Sequence, residues 1–174
     1  MDTMKPLFLV GYMGCGKSTL GRKLARRLGV EYVDTDHEVE QAEGAAVYDI
    51  FQYAGEEYFR RAERDALERT IAAGAAVVST GGGLPTWSDN MARMNEVGCT
   101  VYLRRSAENI ASRLSPFGRQ KRPRLRGLND EELVRFMRED MARREAHYAA
   151  AQLVIDCDLL NDEEILDLIL NFDC

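Results

Sequence analysis

The octapeptide Gly11-Tyr12-Met13-Gly14-Cys15-Gly16-Lys17-Ser18 constrains this chain more than any other segment. It fits G-x-x-x-x-G-K-[ST] without a mismatch, a pattern that needs a strand before it and a helix after it. Glycines let the backbone curl so that several N–H groups point at one phosphate chain. Lys17 is placed to reach the β- and γ-phosphates, and Ser18 to offer its hydroxyl to Mg²⁺. The helix that starts here adds its positive dipole end. Context agrees: Leu7-Phe8-Leu9-Val10 reads as a buried strand, and residues 17–28 read as a helix with Leu20, Leu24 and Leu28 on one face.

The same alternation continues along the chain. Strands are predicted at 7–12, 31–34, 75–80, 99–103 and 152–156. Helices are predicted at 17–28, 37–43, 47–54, 56–73, 88–97, 106–114, 130–148 and 162–172. Strands rich in Val, Ile and Leu between helices imply an α/β fold, with a parallel sheet covered on both faces. At 174 residues the chain is read as one domain, 1–174. An apolar content of 45% and a charged content of 30% suit a soluble globular protein. No apolar run approaches the ~20 residues of a membrane span. Residues 1–6 run straight into the first strand, which leaves no room for a signal peptide, so a cytoplasmic protein is expected. A net charge of −6 argues against general nucleic-acid binding.

Cys15, Cys99, Cys157 and Cys174 form no C-x-x-C pair, and are read as reduced thiols rather than a disulfide frame or a zinc site. Cys15 has two readings, a thiol activated by Lys17 and the N–H dipoles, or a small residue at a tolerant loop position. Residues 115–129 carry two prolines, two glycines and no helical or strand period. With Arg113, Arg119, Lys121, Arg122, Arg124 and Arg126 nearby, and no acid over 109–129, the segment reads as a lid over phosphates, at about 113–129.

Three further constellations carry chemistry. Asp34 and Asp36 stand two apart at the end of the second strand, and so share a face at the carboxyl edge of the sheet, where α/β proteins bind ligands. One carboxylate near Mg²⁺ and one near an acceptor hydroxyl would divide the work; Asp36 is also a candidate N-cap for a helix from His37. Gly81-Gly82-Gly83 follows an apolar strand, and a triple glycine implies close approach of backbone N–H groups to a ligand. Arg144 shares a helical face with Met137 and Met141, with Tyr148 one turn on, and an arginine on an apolar face needs a partner such as a substrate carboxylate. Arg60 can serve likewise or simply pair with Glu63. His37 and His147 are read as exposed.

Together the loop at 11–18, Asp34-Thr35-Asp36, Phe59-Arg60-Arg61-Ala62-Glu63, Gly81–Gly83, Arg122-Pro123 and Arg144 with Tyr148 resemble the shikimate kinase family in order and spacing, over essentially the whole chain. The resemblance implies a P-loop NTPase fold, a three-layer sandwich whose five-stranded parallel sheet runs 2-3-1-4-5, with an acceptor-binding helical segment at about 37–73. It implies ATP- and Mg²⁺-dependent phosphorylation of the 3-hydroxyl of shikimate by a monomer, in the aromatic amino-acid pathway. Gly14, Cys15, Gly16, Lys17, Ser18, Thr19, Arg113 and Arg122 would bind ATP, with Arg113 on the adenine. Ser18 and Asp34 would hold the metal. Asp36, Arg60, Gly81, Gly82, Gly83 and Arg144 would bind shikimate, the two arginines gripping its carboxylate. Lys17, Asp36 and Arg122 would be catalytic. Another small P-loop kinase, acting on a hydroxy acid such as gluconate, is the alternative. The chain departs from the family in reading Arg122-Pro123-Arg124-Leu125 rather than Arg-Pro-Leu-Leu. It also lacks a proline before Tyr148, so that helix is expected to run unbroken.

Overall fold

The structure is a computed structural model, and it describes residues 4–74 and 76–174. Strand β1 (Leu7–Val10) leads through the glycine loop into α1 (Lys17–Leu28). Then follow β2 (Glu31–Asp34), α2 (Thr35–Glu43), α3 (Val47–Ala54), α4 (Glu56–Ala73) and β3 (Ala76–Ser79). A 3₁₀ turn (Leu84–Thr86), α5 (Asn90–Val97), β4 (Cys99–Arg104) and α6 (Ala107–Arg113) come next. The chain continues through α7 (Pro116–Gln120), a second 3₁₀ turn (Pro123–Leu125), α8 (Asp130–Tyr148), β5 (Leu153–Asp156) and α9 (Asp162–Leu170).

All strand pairs are parallel and the order is β2-β3-β1-β4-β5, as the resemblance implied. Leu7 lies opposite Val77 on one side and Cys99 on the other, which puts β1 at the centre. Successive side chains of a strand face opposite ways. Every residue of β3 and the first five of β4 are buried, so helices must cover both faces of the sheet there. The edge strands β2 and β5 are only partly buried. The main core gathers Phe8, Leu9, Val10, Leu24, Val77, Val78, Val101 and Leu103 with helix residues such as Leu20, Met94 and Ile110. A second cluster, Val39, Ile50, Phe59, Ala62 and Ala66, holds α2, α3 and α4 together beside it.

Several boundaries differ from expectation. Strand β1 ends at Val10, because the loop begins at Gly11. Ala75, the expected start of β3, and residues 1–3 lie outside the described residues. Helix α2 begins at Thr35 rather than His37, and its cap is Asp34, not Asp36. Asp34 Oδ1 accepts from the N–H of Asp36 at 3.0 Å and of His37 at 3.4 Å, so Asp36 falls in the first helical turn with its carboxylate free for other work. The segment 115–129 is less irregular than its prolines suggested. Ser115 caps the short α7, accepting from Gly118 N–H at 3.0 Å, and Pro116 sits at the first helical position, where a missing N–H costs nothing. Helix α8 does run unbroken, and begins with a reciprocal capping box between Asn129 and Glu132.

The thiol expectation is corrected. Cys99, at the start of β4, is disulfide-bonded to Cys174, with Cα atoms 5.7 Å apart. Helix α9 and the residues after it bring Cys174 back beside β4, a return that a separation of 75 residues conceals. Cys15 and Cys157 are free and buried.

Candidate active site

The glycine loop lies at the carboxyl end of β1. Gly14 and Gly16 take φ of +78° and +104°, conformations that a side chain disfavours, and these turn the loop around the N-terminus of α1. Lys17 is buried, and its Nζ donates to the carbonyls of Gly11 at 2.7 Å and Tyr12 at 2.9 Å, which holds it across the loop. Cys15 is 1% exposed, with Sγ 3.7 Å from Lys17 Nζ, and it packs in the core. That burial favours the space-filling reading of Cys15 over the reactive one. Ser18 Oγ donates to Asp34 Oδ2 at 3.5 Å. Asp34 therefore uses one oxygen to cap α2 and turns the other toward Ser18. A hydroxyl and a carboxylate are the hard oxygen donors that suit Mg²⁺, which takes few protein ligands beside phosphate. Thr19 is exposed on the first turn of α1.

Opposite the loop, the triple glycine is wrapped by charged side chains. A Cβ on Gly81 would sit 2.6 Å from Asp36 Oδ1 and 2.9 Å from Glu63 Oε1. One on Gly82 would sit 3.3 Å from Arg144 Nη1, and one on Gly83 would overlap the guanidinium of Arg60. The glycines thus let Asp36, Glu63, Arg60 and Arg144 come close to the turn: a side chain at Gly81 or Gly83 would push the charged groups aside, and one at Gly82 would crowd Arg144. Gly81 N–H is not free for a ligand, since it donates to Thr35 Oγ1 at 3.0 Å. That bond ties the turn to the start of α2, beside Asp36. The N–H groups of Gly82 and Gly83 have no partner among the described residues.

Electrostatics sharpen the picture. Arg60 Nη1 donates to Glu63 Oε2 at 2.6 Å, and both side chains are largely buried. Burial, opposed by Arg60, pushes the Glu63 carboxyl up to about 7. Burial, and then the neighbouring Asp34, pushes Asp36 up to about 6, with Lys17 and Arg60 pulling the other way. Asp36 is therefore poised near neutrality, as a group that exchanges a proton or binds a hydroxyl should be. Arg144 lies over the Tyr12 ring, 5.6 Å from its centroid, and 3.8 Å from Asp140 Oδ2. Tyr148 donates its hydroxyl to Gly82 O, and burial pushes its own pKa up to about 12.

The structure thus brings Lys17, Ser18, Asp34, Asp36, Arg60, the three glycines and Arg144 to one end of the sheet. Arg113 reaches it too, with Nη2 3.9 Å from where a Cβ on Gly16 would sit. Arg122 does not: it donates to Gly118 O at 2.9 Å within its own segment. The neighbouring cations are occupied likewise, Arg119 on Asp130 at 2.6 Å, Arg124 over Phe136 and Lys121 over Phe117. His37 and His147 are exposed, as expected.

Three contributors are absent from the sequence reading. Arg105 is 6% exposed and donates to Cys15 O at 2.8 Å and Cys157 O at 3.0 Å, bracing the glycine loop from the end of β4. Tyr12 occupies a position that the motif leaves open. Asp140 stands four residues before Arg144, the spacing of a helical ion pair, and that signal was available.

Comparison with known proteins agrees with this fold. The family model described as shikimate kinase matches residues 13–173. A shikimate kinase of Parabacteroides distasonis is 40% identical over 166 residues, covering 95% of each chain. The crystal structure of shikimate kinase from Bacteroides thetaiotaomicron is 37% identical, with a TM-score of 0.86, and the match covers 95% of this chain and 96% of that one. The Acinetobacter baumannii shikimate kinase, solved in complex with shikimate, is 34% identical with a TM-score of 0.82, over 97% and 94% of the two chains. With the family model matched over residues 13–173, a relative 40% identical and the fold shared with solved members, the chain belongs to the shikimate kinase family.

Proposed function

We propose that this protein transfers the γ-phosphoryl group of ATP to the 3-hydroxyl of shikimate, giving ADP and shikimate 3-phosphate. The observation that carries the reading is the convergence of Asp36, Arg60 and Arg144 on the triple glycine, facing Lys17 and the phosphate loop, in a chain of this family. The acceptor would then present its carboxylate to the two arginines and its ring hydroxyls to Asp36 and the N–H groups of Gly82 and Gly83.

The N–H groups of residues 14–19 would cradle the phosphate chain, with Arg113 against the adenine. Lys17 would leave the Gly11 and Tyr12 carbonyls for the β- and γ-phosphates. Asp36 would accept a hydrogen bond from the 3-hydroxyl, fix its approach in line with the γ-phosphorus, and take up its proton during transfer. Arg122 would leave Gly118 O and close on the transferring group, which excludes water that would otherwise hydrolyse ATP. Ser18 and Asp34 would hold Mg²⁺. Once bound, the ion supplies charge neutralisation on the phosphate oxygens. Most of the rate enhancement comes from positioning and charge, because the loose transition state asks little covalent chemistry of the protein. A single domain acting as a cytoplasmic monomer completes the reading, and no described helix is long and apolar enough to cross a membrane.

The test is ADP release from ATP and Mg²⁺ with shikimate, with gluconate, or with no acceptor. Release that depends on shikimate is expected. Equal release in all three would overturn the acceptor assignment, and with it the roles of Asp36, Arg60 and Arg144. Release that depends on gluconate would replace shikimate as the acceptor.

A further inference from the structure

Beneath Arg144 lies a closed triangle of contacts that phosphoryl transfer does not itself employ. The Arg144 guanidinium lies 5.6 Å from the centroid of the Tyr12 ring. The Tyr12 hydroxyl donates to Asp140 Oδ2 at 2.7 Å, and that same oxygen is 3.8 Å from Arg144 Nη2. Asp140 Oδ1 accepts from Arg143 at 3.2 Å. Tyr12 is 1% exposed and Asp140 4% exposed, so these two corners are largely shut off from water while Arg144 stays partly accessible. Burial alone would raise the Asp140 carboxyl, yet the Tyr12 hydrogen bond with Arg144 and Arg124 outweighs it, and its pKa lies below the usual carboxylate value. The carboxylate is therefore charged while it faces the arginine.

Arg144 is held on one side by an aromatic face and on another by a carboxylate oxygen, and its Nη1 is left facing Gly82. At 3.8 Å the Asp140 oxygen is beyond hydrogen-bond length, so it orients the guanidinium without consuming its donors. A long, rotamer-rich side chain grips a carboxylate bidentately in only one orientation, and fixing that orientation beforehand raises affinity. The triangle joins residues 128 apart in sequence, a P-loop position and a helix α8 position.

We propose that Tyr12 and Asp140 are positioning residues that set the Arg144 guanidinium for the carboxylate of the acceptor. The inference rests on the assignment of Arg144 to that carboxylate.

The experiment compares steady-state kinetics of Tyr12→Phe, Asp140→Asn, Asp140→Glu and the Tyr12→Phe/Asp140→Asn pair, with shikimate and with its carboxamide, alongside thermal melts. Tyr12→Phe should raise KM for shikimate about 3- to 10-fold, the worth of one hydrogen bond, and Asp140→Asn about 10-fold, with KM for ATP within about 2-fold. The double variant should be no worse than the poorer single, because the two act as one unit. Asp140→Glu, which keeps the charge, should recover part of the loss. With the neutral carboxamide, wild type and variants should coincide. KM values for ATP and shikimate rising together, or equal losses with shikimate and carboxamide, would mean a merely structural role and overturn the inference. Should Tyr12→Phe not fold, Asp140→Asn decides, since its amide still accepts from Tyr12. Arg144→Ala separates the two levels. If it leaves KM for shikimate unchanged, the carboxylate assignment fails. If it raises KM while Tyr12→Phe and Asp140→Asn do not, only the positioning role fails.

Discussion

Arg60 occupies the space that a Cβ on Gly83 would fill. The relationship converts a backbone position into a statement about substrate binding, since the side chain displaced is one of the two proposed to grip the acceptor. Gly83→Ala should push the guanidinium aside, a flexible group that can move, so the fold should survive. KM for shikimate should rise about 10-fold or more, the loss of a charge-assisted pair, with Tm little changed. Gly82→Ala, whose Cβ would lie 3.3 Å from Arg144 Nη1, should do less. Kinetics and melts of the two variants check this, and a Gly83→Ala enzyme with wild-type KM would contradict it.

Lys17 rests on two loop carbonyls and is buried. Lys17→Ala removes the cation that would neutralise charge developing on the phosphates. Turnover should fall by about 10²-fold or more while the melting curve keeps its cooperativity. Near-normal turnover would remove Lys17 from the chemistry.

Arg122 is held by Gly118 O, within the segment that would close. Arg122→Ala should lower kcat by about 10²-fold and leave KM for shikimate nearly unchanged, because its contact forms in the closed state. A change confined to KM for shikimate would place Arg122 in acceptor binding instead.

Glu63 carries a testable pH signature. Its carboxyl is raised from about 4.5 to about 7, by burial first, with Arg60 opposing. A carboxyl that holds its proton more tightly when folded stabilises the fold fully below its unfolded pKa, and that contribution is lost as pH rises through about 7. The Tm of ligand-free wild type should therefore fall relative to Glu63→Gln between pH 5 and pH 8.5, by roughly 2–4 °C for each kcal/mol involved. Asp36, raised to about 6, adds a lower step that the variant retains. Parallel Tm curves across that range would show that Glu63 does not titrate there.

The bond between Cys99 and Cys174 spans 75 residues. Closing a loop of that size removes chain entropy from the unfolded state, up to about 4 kcal/mol. Alkylation after denaturation without reductant should label Cys15 and Cys157 alone, and Cys174→Ser should lower Tm by several degrees. Labelling of all the cysteines would disprove the bridge.

The alternation of strands and helices was legible because each element announces itself locally, through apolar periodicity, glycine turns and caps. The phosphate loop was legible for the same reason: its chemistry lies in eight consecutive residues. The Asp34 and Asp36 pair was half legible, since spacing put both at the sheet edge, but only the start of α2 decided which of them spends an oxygen on the helix. The prolines of 115–129 concealed α7, because a proline at the first helical position looks like a breaker until the helix behind it is seen. What tertiary structure alone decided were the contacts between distant segments: Arg60 against Gly83, Tyr12 on Asp140, and Cys99 with Cys174. Such contacts leave no periodic trace in the chain, because they depend on how the sheet and helices pack in space and not on the spacing of residues along it.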